Sequence, residues 1–381
     1  MIRFFRTRPL HFREIPHQTG ILTGHNNTKH MKNSTCVDVP SFGIGQWLEP
    51  LEYLADELPV FCDRLGINGG HKEHFVQTAL ASAKAGVRLL SQEVMLAGMV
   101  GPLPEARAFW NLTGDTLLDT GSEVTGIEHL KTAMHYQQQG WNVVVVQNHR
   151  SGADMLVMET LIRRHFGEDI CADWAYMAGH AVNLYLIPLM FSAAMRRFQI
   201  FSVKYQSTGI TGMDVERMKQ QNHRALLALR RHTAPGGKVV VYYPEGGRGN
   251  GTMKAGEPRT SCLPRNIAEG GKGLIILPTY VRDTELLHRP ARGDNEFNEV
   301  FVHMDKGSAT LAIGEPVRWD AIRELNAPYF ERNRNQWNER ICNTLLGLVA
   351  RLGPPEHAGP HSPSNAATWS LIAPLIHGGV N

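Results

Sequence analysis

The stretch "VVVVQNHRSGAD", Val143 to Asp154, decides how the rest of the chain is read. Four consecutive valines are β-branched and apolar, which marks a buried strand. "ADMLVMETLIRRHFG" follows as a helix, with Gly167 as its stop. Between strand and helix stand His149 and Asp154, five positions apart. Inside one regular helix that spacing turns the chain by about 500°, leaving the two side chains roughly 140° apart. Ser151 and Gly152 are turn or N-cap residues, so the two need not share a helix. His149 is then expected at the strand end. Asp154 is expected in the first helical turn, where the dipole favours a carboxylate. From there Asp154 can reach back to the imidazole, fix its tautomer and leave the other ring nitrogen as a general base. The spacing equally allows an aspartate that only caps a helix and a histidine that only ends a strand.

Working outward, strands and helices alternate. "FQIFSVKY", "GGKVVVYYPEGG" and "GLIILPTYV" read as further strands, and "NEVFVHM" with "SATLAIG" as a hairpin or edge pair. "MDVERMKQQNHRALLALRRH" is a helix whose closing Arg230, Arg231 and His232 suit the negative end of the dipole. A final helix is expected from about Trp319 to Leu352. This alternation predicts an α/β fold, a largely parallel mixed sheet flanked by helices. Upstream, "WLEPLEYLADELPVFCDRL" and "HFVQTALASAKAGVRLLSQEVMLAGMV" are helical, and "PLPEARAFWNLTGDTLLDTGSEVTG" is loop or short helix. The expected organisation is a disordered or targeting tail over 1–42, a smaller helical N-terminal domain over 43–139, the α/β domain over 140–352, and a Pro/Gly-rich tail over 353–381.

Composition narrows the function. Lys and Arg number 39 against 36 Asp and Glu, a net charge of +3, too mild for a nucleic-acid binder. Five scattered cysteines, an odd number without a CxxC pair, favour a reduced compartment over a disulfide scaffold. The best apolar run, "AVNLYLIPLMFSAAM", is shorter than the roughly 20 residues a span needs, and carries Asn183 and Pro188. It reads as a buried helix or a surface that touches lipid or an acyl chain, so membrane contact, if any, is peripheral. The Arg-rich start has the charge of an organelle transit peptide but lacks its serines. "HKEH", His71 to His74, lacks the HExxH form and reads as a solvated helix face. No metal and no cofactor is called for.

A second polar loop ends a second buried strand. "VVVYYPEGGRGNG" places Gly246 and Gly247 where backbone N–H groups can approach an anion, and Arg248 where a guanidinium can fork onto a phosphate. Open α/β sheets bind ligands at the carboxyl ends of their strands, where both loops lie.

Together "NHRSGAD" and "YPEGGR" resemble the NH-x4-D and P-E-G-x-R boxes of the glycerolipid acyltransferases. "ILPTYV", with Pro278, and "AIGEPV" match the two segments that follow in that family. The resemblance covers about Val143 to Val317 and is strongest to the soluble, plastid-type glycerol-3-phosphate acyltransferases. It implies that His149, steered by Asp154, deprotonates the acceptor hydroxyl, which attacks an acyl thioester of acyl carrier protein or coenzyme A. It implies that Arg248, Gly246, Gly247 and Lys204 hold the phosphate of glycerol 3-phosphate, and that Glu245 orients Arg248 or a hydroxyl. It places the protein in the cytoplasm, in a plastid-like organelle or at a membrane surface. Asn250 stands where that branch carries a second arginine, which keeps open a lysophospholipid or another alcohol or amine as acceptor.

Overall fold

The computed structural model describes residues 48–91, 99–167, 169–179, 186–201, 215–245, 263–268, 270–282, 304–330 and 334–354. Both expected tails, the "NEVFVHM" segment up to residue 303, Lys204 and the loop 246–250 lie outside the described residues, apart from Gly353 and Pro354. Ser41–Asn381 form one compact unit.

Its centre is a nine-stranded mixed sheet in the order β1-β5-β4-β6-β3-β7-β8-β2. The strands are β1 (Met99–Val100), β2 (Glu123–Thr125), β3 (Asn142–Gln147), β4 (Ala175–Gly179), β5 (Arg196–Ile200), β6 (Val239–Tyr242), β7 (Leu274–Arg282), β8 (Thr310–Ile313) and β9 (Val317–Arg318). The inner five, β5, β4, β6, β3 and β7, run parallel. β1 joins β5 antiparallel, β8 and β9 join β7 antiparallel, and β2 joins β8 parallel. The largely parallel mixed sheet expected from the alternation of elements is therefore present.

Burial explains the valine run. β3 is covered on both faces, so every residue from Asn142 to Gln147 is buried. Val143 and Val145 point into one core with α1 (Leu48–Arg64), α2 (Gly70–Ser91), α3 (Pro104–Leu117), α4 (Ile127–Gln138), α5 (Asp154–Phe166) and α6 (Leu186–Ser192). Val144 and Val146 point into a second core with α7 (Val215–Thr233), α8 (Leu263–Ala268), α9 (Trp319–Phe330) and α10 (Arg334–Ala350). Period-two alternation on one strand thus feeds two separate helical layers.

Several elements depart from the sequence reading. The stretch 102–126 is not loop or short helix. It holds the 14-residue α3, opened by a proline in its first turn, and the strand β2. Ala106, Phe109, Trp110, Thr113 and Leu117 recur at helical spacing and are buried, which decides in favour of helix. β1 and β2 arise before residue 140 yet pair with β5 and β8, so strand pairing crosses the expected domain boundary. The final helix is two, α9 and α10, with Pro328 in the last turn of α9.

Pro278 sits inside β7, a central strand, where a proline usually costs a ladder bond. The ladder on that flank of β7 passes from β9 at Ile275 and Ile276 to β8 from Thr279 onward. Pro278 falls in the gap. Its carbonyl accepts the Gly314 N–H at 2.9 Å, in the turn between β8 and β9, so the missing amide faces a place where no strand partner stands.

Candidate active site

β3, β6 and β7 run parallel, so their carboxyl ends share one edge of the sheet. His149 follows β3 there, and Glu245 follows β6. Asn148 sets the loop between them and β7. Its side-chain amide donates to the Val281 carbonyl at 2.9 Å, and its carbonyl accepts the Val281 N–H at 2.8 Å. The strand pairing of β3 is thereby extended by a side chain just before the chain turns.

The turn that follows is built around one carboxylate. Asp154 is fully buried at the start of α5, whose preceding residue, Ala153, supplies no side-chain cap. Its Oδ2 accepts the Arg150 N–H at 2.6 Å and the Ser151 N–H at 2.9 Å. Ser151 Oγ donates to Oδ1 at 3.2 Å and accepts the Ala153 N–H at 3.0 Å. His149 Nδ1 lies 3.1 Å from Oδ2. An ionised carboxylate only accepts, so Nδ1 carries the proton and Nε2 keeps its lone pair. The imidazole remains one-fifth exposed while its partner is sealed from water. The convergence that a regular helix forbids is delivered by the turn at Ser151 and Gly152.

Two residues fix the histidine from the β6 side. The Tyr243 ring packs on the imidazole with centroids 4.5 Å apart. Burial, with the Asp154 and Glu159 carboxylates close by, pushes its phenol well above the usual range, so the hydroxyl stays a donor, aimed at Gln147 Oε1 at 3.4 Å. Glu245 Oε2 accepts the His149 backbone N–H at 2.6 Å. The two loops marked out in the sequence are therefore joined by a direct bond. Glu245 was expected to orient Arg248, which lies outside the described residues, or a hydroxyl; its carboxylate also holds the histidine's own amide. Tyr243 was missed. Its signal was available, because it continues the inward-facing alternation of Val239 and Val241 to the strand end.

A second buried polar cluster anchors α5 behind the site. Glu159 accepts Arg107 Nη1 at 2.5 Å and Trp110 Nε1 at 2.9 Å, and bonds the Tyr176 hydroxyl. Arg107 also grips Asp169 through Nε at 2.7 Å and a second bond from Nη2. Burial pushes the Glu159 carboxyl up while Arg107 and Tyr176 draw it down. Asp169, less buried, is held below its usual range because its bonds to Arg107 outweigh burial.

Of the expected site residues, His149, Asp154 and Glu245 come together. Arg248, Gly246, Gly247 and Lys204 lie outside the described residues. His71 and His74 are exposed in the first turns of α2. Cys62, Cys171 and Cys342 are free and buried.

The acyltransferase family model matches residues 122–313, half of the chain, and so spans the sheet edge from β2 to β8. The chain belongs to the acyltransferase family. It is similar to the chloroplastic glycerol-3-phosphate acyltransferase of Spinacia oleracea, 23% identical over 267 residues, which cover 68% of this chain and 56% of that relative. The chain thus spans little more than half the length of the curated relative it matches. The histidine–aspartate pair and Glu245 fall within the acyltransferase match. No helix among the described residues is long and apolar enough to cross a membrane.

Proposed function

We propose that the protein transfers a fatty acyl group from a thioester, carried by acyl carrier protein or coenzyme A, to the hydroxyl of glycerol 3-phosphate. The observation that carries this reading is the buried Asp154 carboxylate 3.1 Å from Nδ1 of a half-buried histidine at the sheet's carboxyl edge. The similarity to a named glycerol-3-phosphate acyltransferase supports the choice of acceptor.

In this mechanism Nε2 of His149 takes the proton of the acceptor hydroxyl. The oxygen attacks the thioester carbonyl, the C–S bond breaks, and the thiolate leaves with the proton returned by the imidazolium. Asp154 stabilises that imidazolium and keeps the ring turned the same way throughout. Tyr243 and Glu245 hold the ring and its backbone, so little reorganisation is required as charge develops. Arg248, Gly246, Gly247 and Lys204 are assigned to the phosphate on the family resemblance.

The test offers the purified protein a labelled acyl thioester with glycerol 3-phosphate or with a lysophospholipid. Label is expected in a monoacylated glycerol phosphate, and His149→Ala should lower kcat by at least about 10³-fold. Label appearing only on the lysophospholipid would move the acceptor assignment to the alternative that Asn250 keeps open. Free fatty acid released at one rate with or without acceptor would make the protein a hydrolase.

A further inference from the structure

We infer that the outward face of α7 is a docking surface for an anionic lipid bilayer. The inference stands apart from the acyl-transfer reading, and its test needs no substrate.

α7 turns one side to the protein and the other to water. Met218, Gln221, Ala225, Leu229 and Thr233 recur at steps of three and four residues and are buried. Arg217, Lys219, Arg224, Arg230 and Arg231 are exposed. Arg217, Arg224 and Arg231 follow one another at intervals of two helical turns, so they share one stripe along a helix of 19 residues, about 28 Å long. Five Lys and Arg against the single Glu216 put more positive charge on this helix than the net +3 of the whole chain. α8, packed beside it, adds Arg265 and no acid.

A helix face that only needs to be wet usually mixes signs, because opposite charges three or four positions apart support the helix. Glu216 makes such a pair with Lys219, Oε2 to Nζ at 3.7 Å. Arg224 and Arg231 have no acid at either spacing. A protein partner is usually anchored by large aromatic or aliphatic side chains in a dry centre. α7 contains no Trp, Tyr or Phe, and Leu227, between Arg224 and Arg231, is half-buried. A bilayer asks for neither an anchor nor a register. Its headgroups present phosphate wherever a guanidinium reaches, and the planar fork of arginine matches that group. The apolar side of α7 is already packed into the protein, so the helix lies on the headgroups and does not sink among the acyl chains.

The full chain is to be sedimented with vesicles of phosphatidylcholine alone, and with vesicles of equal parts phosphatidylcholine and phosphatidylglycerol. Binding is expected to the second kind only, and it should weaken as salt rises. Each cation that meets an anionic surface strengthens binding about fivefold, so Arg224→Gln with Arg231→Gln should weaken it about 25-fold. Lys84→Gln with Lys131→Gln removes the same charge from exposed positions on α2 and α4, which belong to the helical layer on the other face of the sheet. That pair should keep the wild-type affinity within about twofold. All four side chains are exposed, so urea midpoints should match the wild type. Equal loss in the two double variants would assign the effect to overall charge and overturn the inference. Wild-type binding indifferent to phosphatidylglycerol would overturn it as well. Immobilised polyglutamate held through Arg224 and Arg231, with vesicles ignored, would give the face to an acidic protein instead.

Discussion

At the scale of single residues, the site depends on hydrogen bonds that converge on two acids with different duties. Asp154 meets the imidazole. Glu245 meets the backbone amide of the same histidine, and so ties the end of β6 to the turn after β3. That bond is charge-assisted and short, the kind that contributes about 1.5–3 kcal/mol. Glu245→Gln keeps the shape but turns an ionised acceptor into a neutral one. Its expected effect is a fall in kcat of roughly tenfold with a smaller change in acceptor KM, read from steady-state transfer. A glutamate that only held substrate would raise KM instead. His149 and Asp154 were legible in the sequence because a strand-turn-helix junction leaves few arrangements for two polar residues at that spacing. The partner of Glu245 was not, because a backbone amide carries no sequence signature.

At the scale of elements, α5 shows why spacing alone does not define a helix environment. Every residue from Leu156 to Ile162 is buried, since the helix lies between the sheet and α3. Gly114 of α3 lets the two helices approach. A Cβ at that position would stand 1.9 Å from Thr160 Oγ1 of α5. Gly114→Ala should therefore destabilise by about 1–3 kcal/mol, through overpacking, despite the better helix propensity of alanine. The midpoint of urea unfolding checks this, and adding Thr160→Ala should recover part of the loss. α3 itself was read as loop or short helix because Pro104, Gly114 and Gly121 punctuate the stretch. The proline proved to be a start signal, and the glycine a contact rather than a break. β4 passed unnoticed for a related reason: "AYMAG" is short, with only its first two residues buried, and lacks the β-branched run that gave β3 away. The parallel strands β3, β6 and β7 were legible because burial on both faces forces continuous apolar runs.

At the scale of the whole molecule, stability should respond to acid through a histidine far from the site. His232, at the end of α7, is held down from 6.5 to about 4, first by burial and then by the Arg196 and Lys238 charges, against a smaller pull from Asp173. Its ring packs edge-on to Phe198, with Nε2 buried and unpartnered. Between those two pH values the unfolded chain binds a proton that the folded chain refuses, so acidification favours unfolding. The stability present above pH 6.5 should decline through that window and level off near pH 4. His232→Phe should flatten this decline relative to the wild type, measured as urea midpoints across the range. A variant that tracks the wild type at every pH would show that other groups set the slope.

The outer margins of the sheet bear on how the protein behaves in a crowd. Among the described residues the strand order begins with β1 and ends with β2, two and three residues long. A stray chain seeking to template on a neighbour needs a run of open amides and carbonyls, and stubs of this length offer almost none. The apolar strands that would feed fibril growth are enclosed at the centre. The short fringes thus act as a guard against sticking between molecules, a service unrelated to chemistry and invisible in the motifs that reveal the site.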